Sequence, residues 1–151
     1  MGKKFVWNEK FKEEKGALDN HMDNWIIAAN YNLLKTVEYE MDHYLLYKVV
    51  PKLLKFLEQL SNWYVRLNRS RIKGETGIRD WTLSLNVLFE VLLNTSIAIA
   101  PFVPFITELI YQNLQKCVPT ESKTYYEQSI HFLLWPEVDI SLINKQVEIS
   151  V

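Results

Sequence analysis

The chain has 151 residues, 48% of them apolar, and a formal net charge of −1, which suggests one domain with a sizeable core. Its single cysteine, Cys117, excludes an internal disulfide and favours a reducing compartment, so we expect a cytoplasmic protein. Alternating charges at the N-terminus exclude a secretory signal, and the longest charge-free stretch, 91–107, is short for a membrane span and contains prolines.

Four glycines leave little room for tight β-turns, so we expect an all-α fold. The prediction is an antiparallel bundle of about four helices, followed by a short extended C-terminal segment. We interpret the polar residues 1–18 as a flexible lead-in. The helical bundle then occupies 19–119, and 120–151 form an exit segment and a C-terminal tail.

Two long helices are predicted in the first half of the chain. The first follows a cap within residues 19–23 and has an apolar stripe at steps of three and four, namely Trp25, Ile26, Ala29, Leu33, Val37 and Met41. The second has a heptad seam typical of packed helices, namely Leu46, Val50, Leu53, Leu57, Leu60, Tyr64 and Leu67. Pro51 either kinks this helix or moves its start to about Lys48. Gly74 and Gly77 should end it near Lys73.

Two further helices follow. Asp80 is a candidate cap for the third, which should end at Ala100-Pro101 and has a stripe of Trp81, Leu85, Leu88, Leu92 and Ile99, widened by Phe89 and Leu93. Pro104 opens the fourth at its first position, and its predicted core residues are Phe105, Leu109, Ile110 and Leu114. The weak alternation of 129–135 predicts a short strand or an extended arm.

Basic residues concentrate at the end of the second helix. The four arginines lie within 14 residues, at Arg66, Arg69, Arg71 and Arg79. Between residues 44 and 73 the chain carries a net charge of +6, whereas residues 1–43 carry −2. Lys48, Lys52 and Lys55 add a basic face earlier in the same helix.

This basic run permits two interpretations. The guanidinium fork of arginine suits phosphate oxygens, and Asn62 and Trp63, one turn earlier, offer an amide and an aromatic surface of the kind that unpaired RNA bases contact. A run of charge on a helix is, however, more often a solvated face. The pattern alone therefore leaves nucleic-acid binding and a solvated surface both open.

Motifs for other chemistry are incomplete. Glu40 and His43 have the Glu-x-x-His spacing of helical di-iron sites, but no second copy exists, so we expect no metal site. We interpret Cys117 as a small buried residue rather than a nucleophile. Because no glycine-rich phosphate loop or paired acid–base motif is present, an enzyme using scattered carboxylates is disfavoured.

Several stretches resemble one family. Residues 49–69, with the words Asn62-Trp63-Tyr64-x-Arg66 and Asn68-Arg69, are similar to the central helix of the anticodon-binding domain of eukaryotic-type cytoplasmic isoleucyl-tRNA synthetases. Residues 22–26, the Pro-Phe-x-Pro-Phe element at 101–105, and 129–136 resemble other parts of that domain in the same order. The resemblance covers about 5–139. Ser70 departs from it, because the family often has a third arginine there.

The resemblance implies a tRNA-binding module that holds the anticodon stem and loop for a catalytic domain. It implies tRNA and that catalytic domain as partners, a monomer without membrane contact, and ATP as a cofactor of the parent enzyme only. The His-x-Gly-His and Lys-Met-Ser-Lys-Ser signatures of the catalytic domain are absent from this sequence, so we expect no cofactor and no aminoacylation here. The implied tRNA-binding residues are Asn62, Trp63, Arg66, Arg69, Arg71 and Lys73. A helical protein-interaction module of a synthetase assembly is the alternative.

Overall fold

The computed structural model of the chain describes residues 4–13, 19–119 and 127–139. It is all-α, as predicted, and the described residues contain no strand. Two 3-10 turns flank the helices, at Phe11–Glu13 and Ile130–Phe132, and the second predicted helix is divided by a π-helical stretch, Gln59–Val65. The α-helices are α1 (His21–Asp42), α2 (Leu46–Glu58), α3 (Arg69–Ile72), α4 (Ile78–Ile99) and α5 (Pro104–Gln115).

Helix α1 lies between α2 and α4. Lys52 of α2 contacts Glu40 near the end of α1 at 2.8 Å, and Tyr64 contacts Asp23 near its start, so α1 and α2 are antiparallel. Asn30 of α1 bonds Thr95 of α4 at 3.0 Å, and Arg71 of α3 bridges the first turns of both helices. Helices α1 and α4 are therefore parallel, and their N-termini meet α3 at one end of the bundle.

Helix α1 confirms most of its prediction. Its cap is Asn20, whose side-chain oxygen accepts the backbone N–H groups of Met22 and Asp23. Trp25, Ile26, Leu33 and Val37 of the predicted stripe are buried, while Ala29 and Met41 are half-buried. Because α1 is covered on two sides, it also buries residues outside that stripe, namely Ile27, Ala28, Asn30, Tyr31 and Leu34.

The heptad seam predicted for the second helix is partly wrong. Leu53, Leu60 and Tyr64 are buried, but Leu46, Val50, Leu57 and Leu67 are exposed, and Val49 and Phe56 occupy the core instead. The apolar surface of α2 is wider than one stripe, so its period alone does not fix the rotation of the helix. The observed rotation buries Val49 and Phe56 and brings Lys52 to Glu40.

The ends of this helical region are close to those predicted. Helix α2 begins at Leu46, two residues before Lys48, and Pro51 lies inside it. The region ends with α3, where Lys73 is the cap and Gly74 adopts a φ of 82°. A left-handed φ of this kind is readily available to glycine and ends the helix as expected.

Helix α4 is buried around most of its circumference. The stripe predicted from Trp81 to Ile99 is only half-buried, whereas Val87, Val91 and Ala98 are fully buried beside Phe89 and Leu93. The difference arises because α1 and α5 cover two sides of this helix. It is the one helix of the described residues whose length and mean hydropathy of 1.5 would suffice to cross a membrane, and 67% of that stretch is buried inside the fold.

Asp80 does not cap α4, contrary to the prediction. Gly77, with a φ of 115°, occupies the cap position, and no side chain caps this end. Asp80 lies in the first turn, where it accepts hydrogen bonds from Arg71 at 2.8 Å and from the Thr76 hydroxyl at 2.6 Å. Its carboxylate is therefore engaged by α3 and the loop instead of by its own helix.

Helix α5 begins at Pro104 as predicted, but its buried face differs. Phe105 is 91% exposed and Leu109 is 63% exposed, while Thr107 and Tyr111 are buried. The Thr107 hydroxyl donates to backbone carbonyls of the preceding turn. Because its hydrogen-bonding need is met within its own helix, this polar residue can face α4. Ile110 and Leu114, also predicted as core, are half-buried.

Both described flanks pack on the bundle. In the segment interpreted as a lead-in, Trp7 stacks on Phe89 with ring centroids 5.0 Å apart, and Phe11 is buried. Of the two alternatives predicted for 129–135, the strand is absent from the described residues, because Ser129 caps a 3-10 turn. The backbone is extended at Ser129 and Leu133, on either side of that turn. Glu108 of α5 holds this turn by accepting from the Ser129 hydroxyl and the Ile130 N–H.

Candidate nucleic-acid interface

The candidate residues lie on one continuous helical course, with Asn62 and Trp63 inside the π segment and the four basic candidates after it. Hydrogen bonds of α type run from Asn68 N to Tyr64 O at 3.0 Å and from Lys73 N to Arg69 O at 3.0 Å. Residues three and four apart therefore share a face. The π geometry, which is frequent at functional sites, keeps Leu60, Tyr64 and the buried Asn68 on the core side at steps of four.

Five of the six predicted residues are exposed. Arg66, Arg69 and Lys73, spaced three and four apart, form one exposed row, and Asn62 extends it by one turn. Trp63 lies on the same side with 53% of its surface exposed. We call this set, Asn62, Trp63, Arg66, Arg69 and Lys73, the basic row. Within the described part of the chain, the charged members of the row make no ion pair.

Arg71 is separated from the basic row. It faces inward with Tyr64 and Asn68, and only 11% of its side chain is exposed. Its guanidinium donates to both oxygens of Asp23, at 3.0 and 2.8 Å, to Asn68 at 2.8 Å, and contacts Asp80 through Nε and Nη2 at 2.8 Å. Four of these contacts are hydrogen bonds and the fifth is an ion-pair contact, so all three guanidinium nitrogens are engaged inside the fold.

Hydrogen bonds and opposite charges stabilise the ionised form of this group, which we call the Arg71 cluster and which consists of Asp23, Tyr64, Asn68, Arg71 and Asp80. Burial disfavours the charge of Arg71, but hydrogen bonds to Asp23 and Asp80 outweigh it and raise the pKa of the guanidinium. The hydrogen bond from Arg71 lowers the pKa of Asp80. Burial, followed by the charge of Asp23, raises the pKa of the Tyr64 hydroxyl, which donates to Asp23 at 2.7 Å. The tyrosine therefore stays neutral and acts as a donor.

The second group of basic residues, on α2, is less available as a set. Lys52 is paired with Glu40, and the hydrogen bond from this lysine lowers the pKa of the Glu40 carboxyl. Lys48 and Lys55 remain exposed. The basic residues behind the charge of +6 counted along the sequence therefore divide among the basic row, the Arg71 cluster, the α1–α2 contact and the two exposed lysines of α2.

The remaining polar features of the described residues are engaged with one another. A cleft of about 550 Å³ lies between the N-terminal and exit segments, but its Tyr31, Glu90 and Lys12 bond one another, with Tyr31 and Lys12 both 2.6 Å from Glu90. No group of three histidine, cysteine or acidic residues in the described ranges could hold a metal ion. Cys117, predicted to be buried, is only partly so.

Sequence reasoning missed Asp23, Asn68 and Asp80 as members of the cluster. One local signal existed, since Tyr64, Asn68 and Arg71 are four and three apart and continue the core stripe of α2. The partners Asp23 and Asp80 come from two other helices, and nothing in their local sequence pairs them with Arg71. Their role follows only from the packing of α1 and α4.

Comparison with known proteins gives consistent matches. A family model described as the anticodon-binding domain of tRNA ligase matches residues 23–151. Isoleucine--tRNA ligase of Tetrahymena thermophila is 48% identical over 97% of the chain and 14% of the relative. The cytoplasmic isoleucine--tRNA ligases of Mus musculus and Saccharomyces cerevisiae are 44% and 43% identical over 98% and 88% of the chain. The chain spans 12–14% of the length of these relatives.

Proposed function

The chain belongs to the family of anticodon-binding domains of tRNA ligases, and we propose that it is the part of an isoleucine--tRNA ligase that holds the anticodon stem and loop of the tRNA. The parent enzyme would use ATP to attach isoleucine to that tRNA in the cytoplasm. This domain would orient the tRNA for a catalytic domain and would act as a monomer without cofactor or membrane contact.

The observation that carries the proposal is the exposed basic row. Arg66, Arg69 and Lys73 present three cations on one face, and no acidic residue in the described part neutralises them. Contacts to phosphates position a protein on RNA without reading its sequence. The adjacent Trp63 and Asn62 offer the stacking surface and the amide that unpaired bases need. Arg71, included in the sequence prediction, is left out because its donors are used inside the fold.

The test is a binding titration of labelled isoleucine tRNA at several salt concentrations, with valine and phenylalanine tRNAs as competitors. Three phosphate contacts give a log–log salt slope of about −2 to −3. Arg66→Ala and Arg69→Ala should each weaken binding and flatten the slope by about one contact. Lys35→Ala, which removes an exposed lysine of α1 away from the row, is the matched control and should change neither.

Each result has a distinct meaning. A steep slope with preference for the isoleucine tRNA supports anticodon recognition by this domain. A steep slope without preference supports a phosphate grip whose specificity resides elsewhere in the parent enzyme. Absence of binding at low salt, or arginine variants that bind like the Lys35 control, would contradict the proposal.

A protein-interaction module is the second candidate, and one observation favours it. Phe105, Ile106 and Leu109 leave 91%, 57% and 63% of their surfaces exposed on one side of α5. An exposed apolar patch of this kind often marks a protein contact. Serine substitutions there that abolish binding to the rest of the ligase while leaving tRNA binding unchanged would support this function.

A further inference from the structure

We propose that Arg71 is a positioning residue for RNA binding, which acts with Asp23 and Asp80 to fix the rotation of α3 so that Arg69 and Lys73 continue the row begun by Arg66. The inference rests on the proposed function. It differs from the prediction made from the sequence, in which Arg71 contacts phosphate itself.

Helix α3 is joined to the preceding turn by backbone hydrogen bonds, but Asn68, with a φ of −95° and a ψ of 16°, departs from helical geometry between them. It is only four residues long, none of its residues is buried, and an exposed loop follows it from Lys73 to Gly77. Ile72 is half-buried and adds one apolar contact surface. The rotation of α3 against α1 and α4 therefore depends mainly on the side chain that it directs inward, which is Arg71.

The anchors of Arg71 come from two different helices. Asp23 lies in the first turn of α1 and is fully buried, while Asp80 lies in the first turn of α4 with 35% of its side chain exposed. A guanidinium held by carboxylates on two rigid helices has a fixed plane as well as a fixed position. The outward residues Arg69 and Lys73, two positions to either side of Arg71, are oriented by the same constraint.

Lysine cannot replace this geometry. Its ammonium is a point charge on a flexible stem and lacks the planar fork that engages Asp23 with two nitrogens and Asp80 with a third contact. Lysine does bind phosphate well. Arg71→Lys thus separates the two roles, because a phosphate ligand tolerates the change and a positioning residue does not.

A change of charge at Asp80 separates a positioning role from simple charge attraction in a second way. Asp80→Ala removes a negative charge close to the basic row together with the oxygen that accepts from Arg71, so Coulomb attraction alone predicts tighter RNA binding. If Asp80 orients Arg71, the same change weakens binding. The fold should survive it, because the bidentate contact between Arg71 and Asp23 remains and Asp80 is partly exposed.

The experiment compares Arg71→Lys and Asp80→Ala with the unaltered chain and with the Lys35→Ala control, measuring isoleucine tRNA affinity at several salt concentrations. We expect Arg71→Lys and Asp80→Ala each to weaken binding about tenfold, the loss of one misplaced charge-assisted contact. Thermal melts monitored by circular dichroism establish that the variants are folded. Unchanged affinity of Arg71→Lys, or tighter binding by Asp80→Ala, would overturn the proposal.

A second measurement, made without RNA, tests the positioning role directly. It remains informative if a variant folds poorly or if the proposed function is wrong. Backbone N–H groups of Ile72 and Lys73 donate to Asn68 and Arg69, at 2.9 and 3.0 Å. In Arg71→Lys, hydrogen exchange at these two amides should accelerate while that of α1 is unchanged. Equal exchange rates at these amides in Arg71→Lys and in the unaltered chain would overturn the positioning role. Faster exchange in the variant, together with no tRNA binding by the unaltered chain, would overturn only the proposed function.

Discussion

At the residue scale, Tyr64 joins the core to the Arg71 cluster. It is fully buried, and its hydroxyl donates to Asp23 at 2.7 Å. Tyr64→Phe removes this donor while keeping the ring, so we expect the free energy of unfolding to fall by about 1.5–3 kcal/mol, as for a hydrogen bond to a charged group. Urea denaturation measures it. Tyr47→Phe, at a site 72% exposed, is the control and should change nothing; equal stability of both variants would contradict the role of the hydroxyl.

The same cluster predicts a dependence of stability on pH. The hydrogen bond from Arg71 holds the pKa of Asp80 below its ordinary value. A carboxyl with a lowered folded-state pKa stabilises the fold above its unfolded pKa, and this stabilisation is lost as the pH falls through the folded value. Melting temperature should therefore decline below about pH 4, and less steeply in Asp80→Asn. Identical slopes in the two proteins would show that Asp80 contributes nothing.

The candidate site could be predicted from the sequence only for residues whose exposure follows from their spacing along one helix. Arg66, Arg69 and Lys73 are recognisable because three and four residues separate them. Arg71 looked like a fourth member, since it is basic and adjacent. Its inward role depends on Asp23, 48 positions away, and no pattern within one helix reveals such a partner.

At the scale of elements, Pro51 limits the stability of α2. It lies inside the helix, at its sixth residue, and has no N–H to donate to the carbonyl four residues earlier. Pro51→Ala should restore that bond and raise the free energy of unfolding by about 1–3 kcal/mol. Chemical denaturation with circular dichroism detects the change. An unaltered or lower stability would mean that the proline ring is compatible with this turn.

Helix existence was predictable and helix rotation was not. The C-terminal end of α4 follows from Pro101 and the start of α5 follows from Pro104, because a proline constrains the backbone locally. Their buried faces depend on which neighbours cover them. Phe105 and Leu109 are apolar and were expected in the core, yet they are exposed, and Thr107 and Tyr111 are buried against α4 instead. Hydrophobicity identifies residues able to be buried, and packing selects among them.

At the scale of the whole molecule, the described part of the bundle has two unlike surfaces, the basic row and the apolar side of α5. Phe105 is 91% exposed, so Phe105→Ser should change the free energy of unfolding by less than about 0.5 kcal/mol. It should weaken binding to the rest of the ligase, the partner considered above for this patch, as measured by sedimentation velocity of the mixture. Lys116→Ser, at another exposed site after α5, is the control, and equal association of both variants would contradict an adhesive role for the patch.

The π segment has a consequence for insertions and deletions. Its turns are wider than those of an α-helix, so it holds more residues than an α-helix that spans the same distance. The rows that follow it keep their faces because the segment takes up these extra residues. Deleting one residue between Gln59 and Val65 would therefore convert the segment to α geometry and leave the rows beyond it on the same faces. The same deletion in α2 would rotate everything beyond it by about 100° and turn the basic row away from its present face, although every arginine was still present. In this part of the chain, the number of residues matters as much as their identity.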